Sequence, residues 1–128
     1  MQHLTFGVRS VAEDSSGERL REERAETVRR FASLKTELNG IIESALLSNN
    51  DDEHDPDGAT TGYERAKTTA MLQQARLRLV EIDQAIERTT DGSYGRCNHC
   101  GSAIGEERLD AIPTTTRCAA CASLLPDR

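Results

Sequence analysis

The chain has 128 residues, a formal net charge of −6, 30% charged residues and only 3% aromatics, with no Trp. That length allows one domain, or one small domain with an extended arm. So few aromatics argue against a large globular core, and the negative charge argues against a partner recognised by its phosphate backbone. The N-terminal stretch MQHLTFGVRSVAEDSSGERL lacks an unbroken apolar segment of the signal-peptide kind, and no apolar run approaches the ~18 residues of a membrane span. A cytoplasmic setting is therefore expected, in which paired cysteines point to metal more often than to disulfides.

Residues 1–14 mix polar, small and charged types without a period and are expected to form a tail. Ser15-Ser16-Gly17-Glu18 then matches a capping box, in which a serine caps a free backbone N–H and the glutamate reaches back. Apolar residues recur after it at Val28, Phe31, Leu34, Leu38, Ile41-Ile42 and Ala45, the spacing of a helix face. The helix should stop near Ser48. The polar stretch NNDDEHDPDGAT, residues 49–60, reads as a connection with Pro56 and Gly58 as turn residues.

Thr61-Gly62-Tyr63-Glu64 is a second capping box and predicts the start of a second helix. Leu72, Ala75, Leu79, Ile82 and Ile86 alternate three and four apart, the a/d seam of a coiled coil. Thr90-Asp91-Gly92 supplies the stop. Two helices of about 30 residues joined by a short link should fold back as an antiparallel coiled-coil hairpin spanning 15–91, reaching ~45 Å at 1.5 Å per residue. The fold class is therefore mostly α. A hairpin completed into a bundle by a second copy is the plainer alternative.

All four cysteines lie between 92 and 128. Cys97-x2-Cys100 and Cys118-x2-Cys121 are separated by seventeen residues, matching a C-x2-C-x15–20-C-x2-C zinc site. Each CxxC knuckle aims two thiolates at one tetrahedral ion, and Gly101 suits the sharp bend after the first pair. Four thiolates leave no open position, so one structural Zn2+ is expected, standing in for a core this segment is too short to build. His99 lies inside the first knuckle and reads as an outward spacer. Arg96 and Arg117 directly precede the two pairs and can offset the formal −2 of a four-thiolate zinc. Two disulfides, a redox dithiol or an iron–sulfur cluster use the same residue type, but each lacks its expected context: an export signal, a βαβ setting, or ferredoxin-like spacing.

The connection gathers Asp51, Asp52, Glu53, Asp55 and Asp57. The plain reading is a solvated loop. A second overlays Glu53-x-Asp55-x-Asp57-Gly58, with Glu64 six residues on, upon an EF-hand calcium loop. A third takes the cluster as a probe, an acidic tip brought to a partner's metal ion or basic side chains.

The stretch GSYGRCNHCGSAIGEERLDAIPTTTRCAAC resembles the zinc-finger signature of the DksA/TraR family. The residues that carry it are Gly95, Cys97, Cys100, Gly101, Ile104-Gly105, Arg108-Leu109, Ala111, Pro113, Cys118 and Cys121. The finger matches by motif and the hairpin by architecture, over roughly 16–121. The resemblance implies a bacterial transcription regulator, not an enzyme, that binds RNA polymerase without contacting DNA and inserts the coiled-coil tip through the secondary channel. It implies partner-binding roles for Asp57 and Ala59, which fit the D-x-A end of the family's D-x-x-D-x-A tip. It implies the same for Asp55, which fills the role of the first Asp at a spacing shorter by a single residue; His54 stands at that Asp's own place. Long members use basic residues near the finger for guanosine tetraphosphate. Here those places hold Ile112 and Ala122, and the chain ends at Arg128, ahead of the family's longer C-terminal helix. A weak or absent response to that nucleotide is expected. A channel-threading arm implies a monomer. A protein-interaction adaptor whose hairpin self-associates is the alternative, and a nucleic-acid-binding finger is disfavoured by the negative charge and the lack of stacking aromatics.

Overall fold

The computed structural model describes residues 11–48 and 56–124. They form four helices in the order α1 (Val11–Ser48), α2 (Pro56–Asp91), α3 (Glu106–Ala111) and α4 (Ala119–Leu124). The only extended pairing among the described residues is an antiparallel bridge between Arg96 and Ala103. The fold is mostly helical, with α1 and α2 as the arms of a hairpin. Contacts divide the chain into two compact units, Met1–Arg24 with Glu81–Arg128, and Ala25–Val80.

In the Ala25–Val80 unit the helices run antiparallel: Phe31 takes the Arg76 guanidinium over its ring at 5.9 Å, and farther along α1 Glu37 accepts a 3.5 Å hydrogen bond from Thr68 at an earlier point of α2. Leu34, Thr68 and Ala75 are buried here. Phe31, Leu38, Ile41, Ile42, Ala45, Leu72 and Leu79 are half-buried. The seam thus follows the apolar period but is thin, as two helices alone can cover only one side of each. Val28 leaves it: that side chain is 40% exposed, while Thr27 beside it is half-buried.

In the other unit Leu20, Ile82 and Ala85 are fully buried, as is most of Thr89. An Arg24–Asp83 ion pair at 2.6 Å spans the two helices on the surface. Ala85 and Thr89, which a search for large apolar residues passes over, thus take core places beside Leu20 and Ile82. No described helix is long and apolar enough to cross a membrane.

Both long helices begin before the capping boxes. α1 opens at Val11, not Ser15, because Ala12 and Glu13 favour helix and nothing from 11 to 14 breaks one. α2 opens at Pro56, not Thr61. Proline is tolerated in a first turn, where its missing N–H would have no helical partner and its fixed φ suits the helix. This replaces the calcium-loop reading, since residues 56–64 are helical and leave no turn at Gly58 for an EF-hand loop. The rest of the acidic connection, residues 49–55, lies outside the described residues.

Candidate metal centre

The finger starts where α2 stops. Gly92 adopts φ +87°, and the N–H groups of Gly92, Ser93 and Tyr94 all donate to the Arg88 carbonyl at 3.1 Å. Three donors on one carbonyl end the helix sharply. Asp91 Oδ1 accepts from both the N–H and the hydroxyl of Ser93, at 2.9 and 2.7 Å, and these bonds hold its carboxyl below the usual range. The Arg88 side chain reaches on to the Thr114 carbonyl at 3.4 Å.

Two further left-handed glycines shape the first knuckle, Gly95 at φ +82° and Gly101 at φ +80°. The bend lets Cys97 N–H donate to the Ser102 carbonyl at 2.7 Å, Gly101 N–H to the Cys97 carbonyl at 3.0 Å, and Ile104 N–H to the Gly95 carbonyl at 2.7 Å. Asn98 N–H donates to the Thr116 carbonyl at 2.8 Å, joining the first knuckle to the segment before the second. The second knuckle turns directly into α4, with Ala122 N–H on the Cys118 carbonyl at 2.9 Å. Beneath both, Cys97, Ile104 and Cys121 form a small buried cluster against which Leu109 and Cys118 pack.

Four sulfurs converge as a result. Cys97, Cys100, Cys118 and Cys121 place their Sγ atoms within 4.8 Å of one another, the only such ligand cluster among the described residues. Cys100 Sγ and Cys118 Sγ are 3.8 Å apart. Thiolates ~2.3 Å from a tetrahedral zinc stand about 3.8 Å from each other, so the donor set fits one zinc by distance as well as by chemistry. His99 is exposed, and it is its backbone N–H, not its ring, that meets the site, 3.4 Å from Cys97 Sγ.

The four thiols are not equivalent. Cys97 is pulled down to about 5, first by the backbone N–H of Cys100 and then by that of Cys118, with His99 adding to them and burial opposing. Cys100 is lowered as well, chiefly by the Ser102 hydroxyl. Burial pushes Cys121 up to about 12, and the neighbouring sulfurs reinforce it. Backbone dipoles thus prepare one corner of the site as an anion, while the opposite corner needs a cation to ionise. One structural zinc is the cofactor that this finger carries.

The two arginines that precede the cysteine pairs sit differently. Arg96 is exposed on the Ala103 bridge, whereas Arg117 is half-buried, its carbonyl accepting from Arg108 Nε at 2.8 Å and Thr115 Oγ1 at 3.1 Å. Arg108 fastens α3 to the segment leading into the second knuckle, and Tyr94, just ahead of the first, donates its hydroxyl to the Pro113 carbonyl at 2.8 Å, past the end of α3. Neither latch is visible in residue spacing, because each runs from a side chain to a distant carbonyl. At the connection, Asp57 and Ala59 fall in the first turn of α2, with Ala59 exposed, and Asp55 lies outside the described residues.

Residues 92–125 match the prokaryotic dksA/traR C4-type zinc finger. The chain is 42% identical over 60 residues to the RNA polymerase-binding transcription factor DksA of Caulobacter vibrioides, covering 47% of this chain and 42% of that one. It spans only 27% to 41% of three other curated relatives. Among solved structures, transcription factor DksA2 of Pseudomonas aeruginosa superposes with a TM-score of 0.74 at 24% identity, covering 97% of this chain and 95% of that one, a likeness of fold. The DnaK suppressor protein of Agrobacterium tumefaciens superposes with a TM-score of 0.55 at 27% identity, over 91% and 96% of the two chains.

Proposed function

Since the chain belongs to the DksA/TraR C4-type zinc-finger family, we propose that it regulates transcription by binding RNA polymerase directly, with the end of its helical hairpin entering the secondary channel and no DNA contact of its own. The observation that carries this reading is a four-sulfur finger of that family continuous with a long antiparallel helix pair. The four cysteines are assigned as zinc ligands, with Arg96 and Arg117 offsetting the negative charge of the tetrathiolate. The metal holds the finger and does not enter a reaction, and the protein acts by binding, as a cytoplasmic monomer.

The acidic end of the hairpin is the working element. Asp55, Asp57 and Ala59 are the residues that approach the polymerase's active centre, where carboxylates can interact with basic side chains or a metal ion. Response to guanosine tetraphosphate is weak, because Ile112 and Ala122 offer no cation to a polyphosphate. The first test is capture of purified core RNA polymerase by the zinc-loaded protein. The second is transcription from a responsive promoter with Asp57→Asn, which should bind as the wild type does and lose most of its regulatory effect. Absence of binding, or a fully active Asp57→Asn protein, would sink the reading.

A further inference from the structure

Helix α3 is too small to stand by itself. It has six residues, none of them buried, and Gly105 at its start makes no side-chain capping bond. That is far below the ~12 residues at which an isolated helix holds in water, and the last carbonyls of any helix lack partners within it. Yet α3 reaches both halves of the zinc site. Leu109 packs against the buried cluster of Cys97, Ile104 and Cys121, and Arg108 Nε donates to the Arg117 carbonyl, directly ahead of Cys118. A contact that steadies α3 therefore steadies the four sulfurs.

One such contact comes from α1. Arg19 donates from Nη2 to the Asp110 carbonyl at 2.8 Å, and its Nη1 lies 3.9 Å from the Asp110 carboxylate. That carbonyl belongs to the last turn of α3, so the guanidinium caps the helix from outside. Glu23, one turn on along α1, stands 3.5 Å from Arg19 Nε and helps aim the side chain. Ser16, one turn earlier on the same face, hydrogen-bonds the Tyr94 hydroxyl, which itself donates to the Pro113 carbonyl just past α3. We propose that Arg19 is a positioning residue for zinc: by capping α3 it keeps Leu109 on the cysteine cluster and Arg108 on the segment before Cys118, and so raises the affinity of a metal site far along the chain. Linkage requires this, because a bond made only by the folded finger strengthens the binding of the metal that folds it.

The test is the zinc affinity of the full chain, measured by competition with a chromophoric chelator. It is paired with amide exchange, in the zinc-loaded protein, of Leu109 and Ile112, whose N–H groups bond to the Gly105 and Arg108 carbonyls. Arg19→Ala should lower zinc affinity about fivefold, the loss of one hydrogen bond from a half-exposed side chain, and should speed exchange at both amides. Arg19→Lys keeps a donor for the carbonyl and should recover most of the affinity. Arg24→Ala is the control: it breaks a contact of similar exposure on α1, but with Asp83 of α2, and should bind zinc as the wild type does. A general weakening of the helices would lower both alanine variants alike and would not respond to lysine. Wild-type zinc affinity in Arg19→Ala, an equal loss in Arg24→Ala, or no recovery in Arg19→Lys overturns the inference. So does a fall in affinity without faster exchange at Leu109 and Ile112, since the route through α3 is then wrong.

Discussion

The finger and the Ala25–Val80 unit solve the problem of a small core in opposite ways. The helix pair repeats one device, a narrow seam renewed every turn, and buries little at any one place: Leu34, Thr68 and Ala75 are its only buried side chains among the described residues. The finger repeats nothing. It concentrates left-handed glycines, backbone hydrogen bonds and four sulfurs around three buried residues, two of which are cysteines. Damage to the first should therefore be graded and local, and damage to the second all-or-none.

The largest effect that would sharpen this contrast is removal of zinc. Chelation, or Cys97→Ser, should unfold residues 92–124 outright while leaving the α1 and α2 helical signal largely intact, as read by circular dichroism together with amide exchange of the finger. Metal binding supplies about 10 kcal/mol or more to such modules, far beyond what Ile104 and Leu109 can replace. If the finger kept its amide protection without metal, the contrast would be wrong. Acid should act the same way, because protons displace zinc from thiolates. Zinc should thus stay bound at neutral pH and be released on acidification, followed with a colorimetric zinc indicator.

A smaller effect belongs to the seam. Truncation to Ala of Leu34, buried in the Ala25–Val80 unit, should cost ~2–5 kcal/mol of stability, seen as a lower midpoint of thermal unfolding without loss of zinc. An equal loss of zinc would show that the helices and the finger fold as one cooperative unit. The smallest effect belongs to the surface. Arg24→Ala removes the ion pair with Asp83, but both side chains are about half exposed, so the shift in melting temperature should be slight and vanish at high salt.

Much of this architecture could be read from residue order because its causes are local. A CxxC pair constrains two thiols three residues apart, a three-and-four period marks a helix face, and Thr90-Asp91-Gly92 ends a helix through its own backbone. Local signals misled where two of them competed. Thr61-x-x-Glu64 is a sound capping box, yet Pro56 is an equally sound first-turn residue, and the longer helix took in both. Val28 has the right spacing for the seam, but its direction from the α1 axis depends on where α2 lies.

By itself, then, the order of residues determined the four-cysteine cluster, the two long helices and the stop at Gly92, since each depends on neighbours a few positions apart. Only the tertiary structure decided that Cys97 and Cys121 are buried while Cys100 is exposed, and that Arg108 and Tyr94 reach distant carbonyls across the finger. Burial and long-range hydrogen bonds are properties of what surrounds a residue in space, and no local pattern encodes that surrounding until the chain has closed on itself.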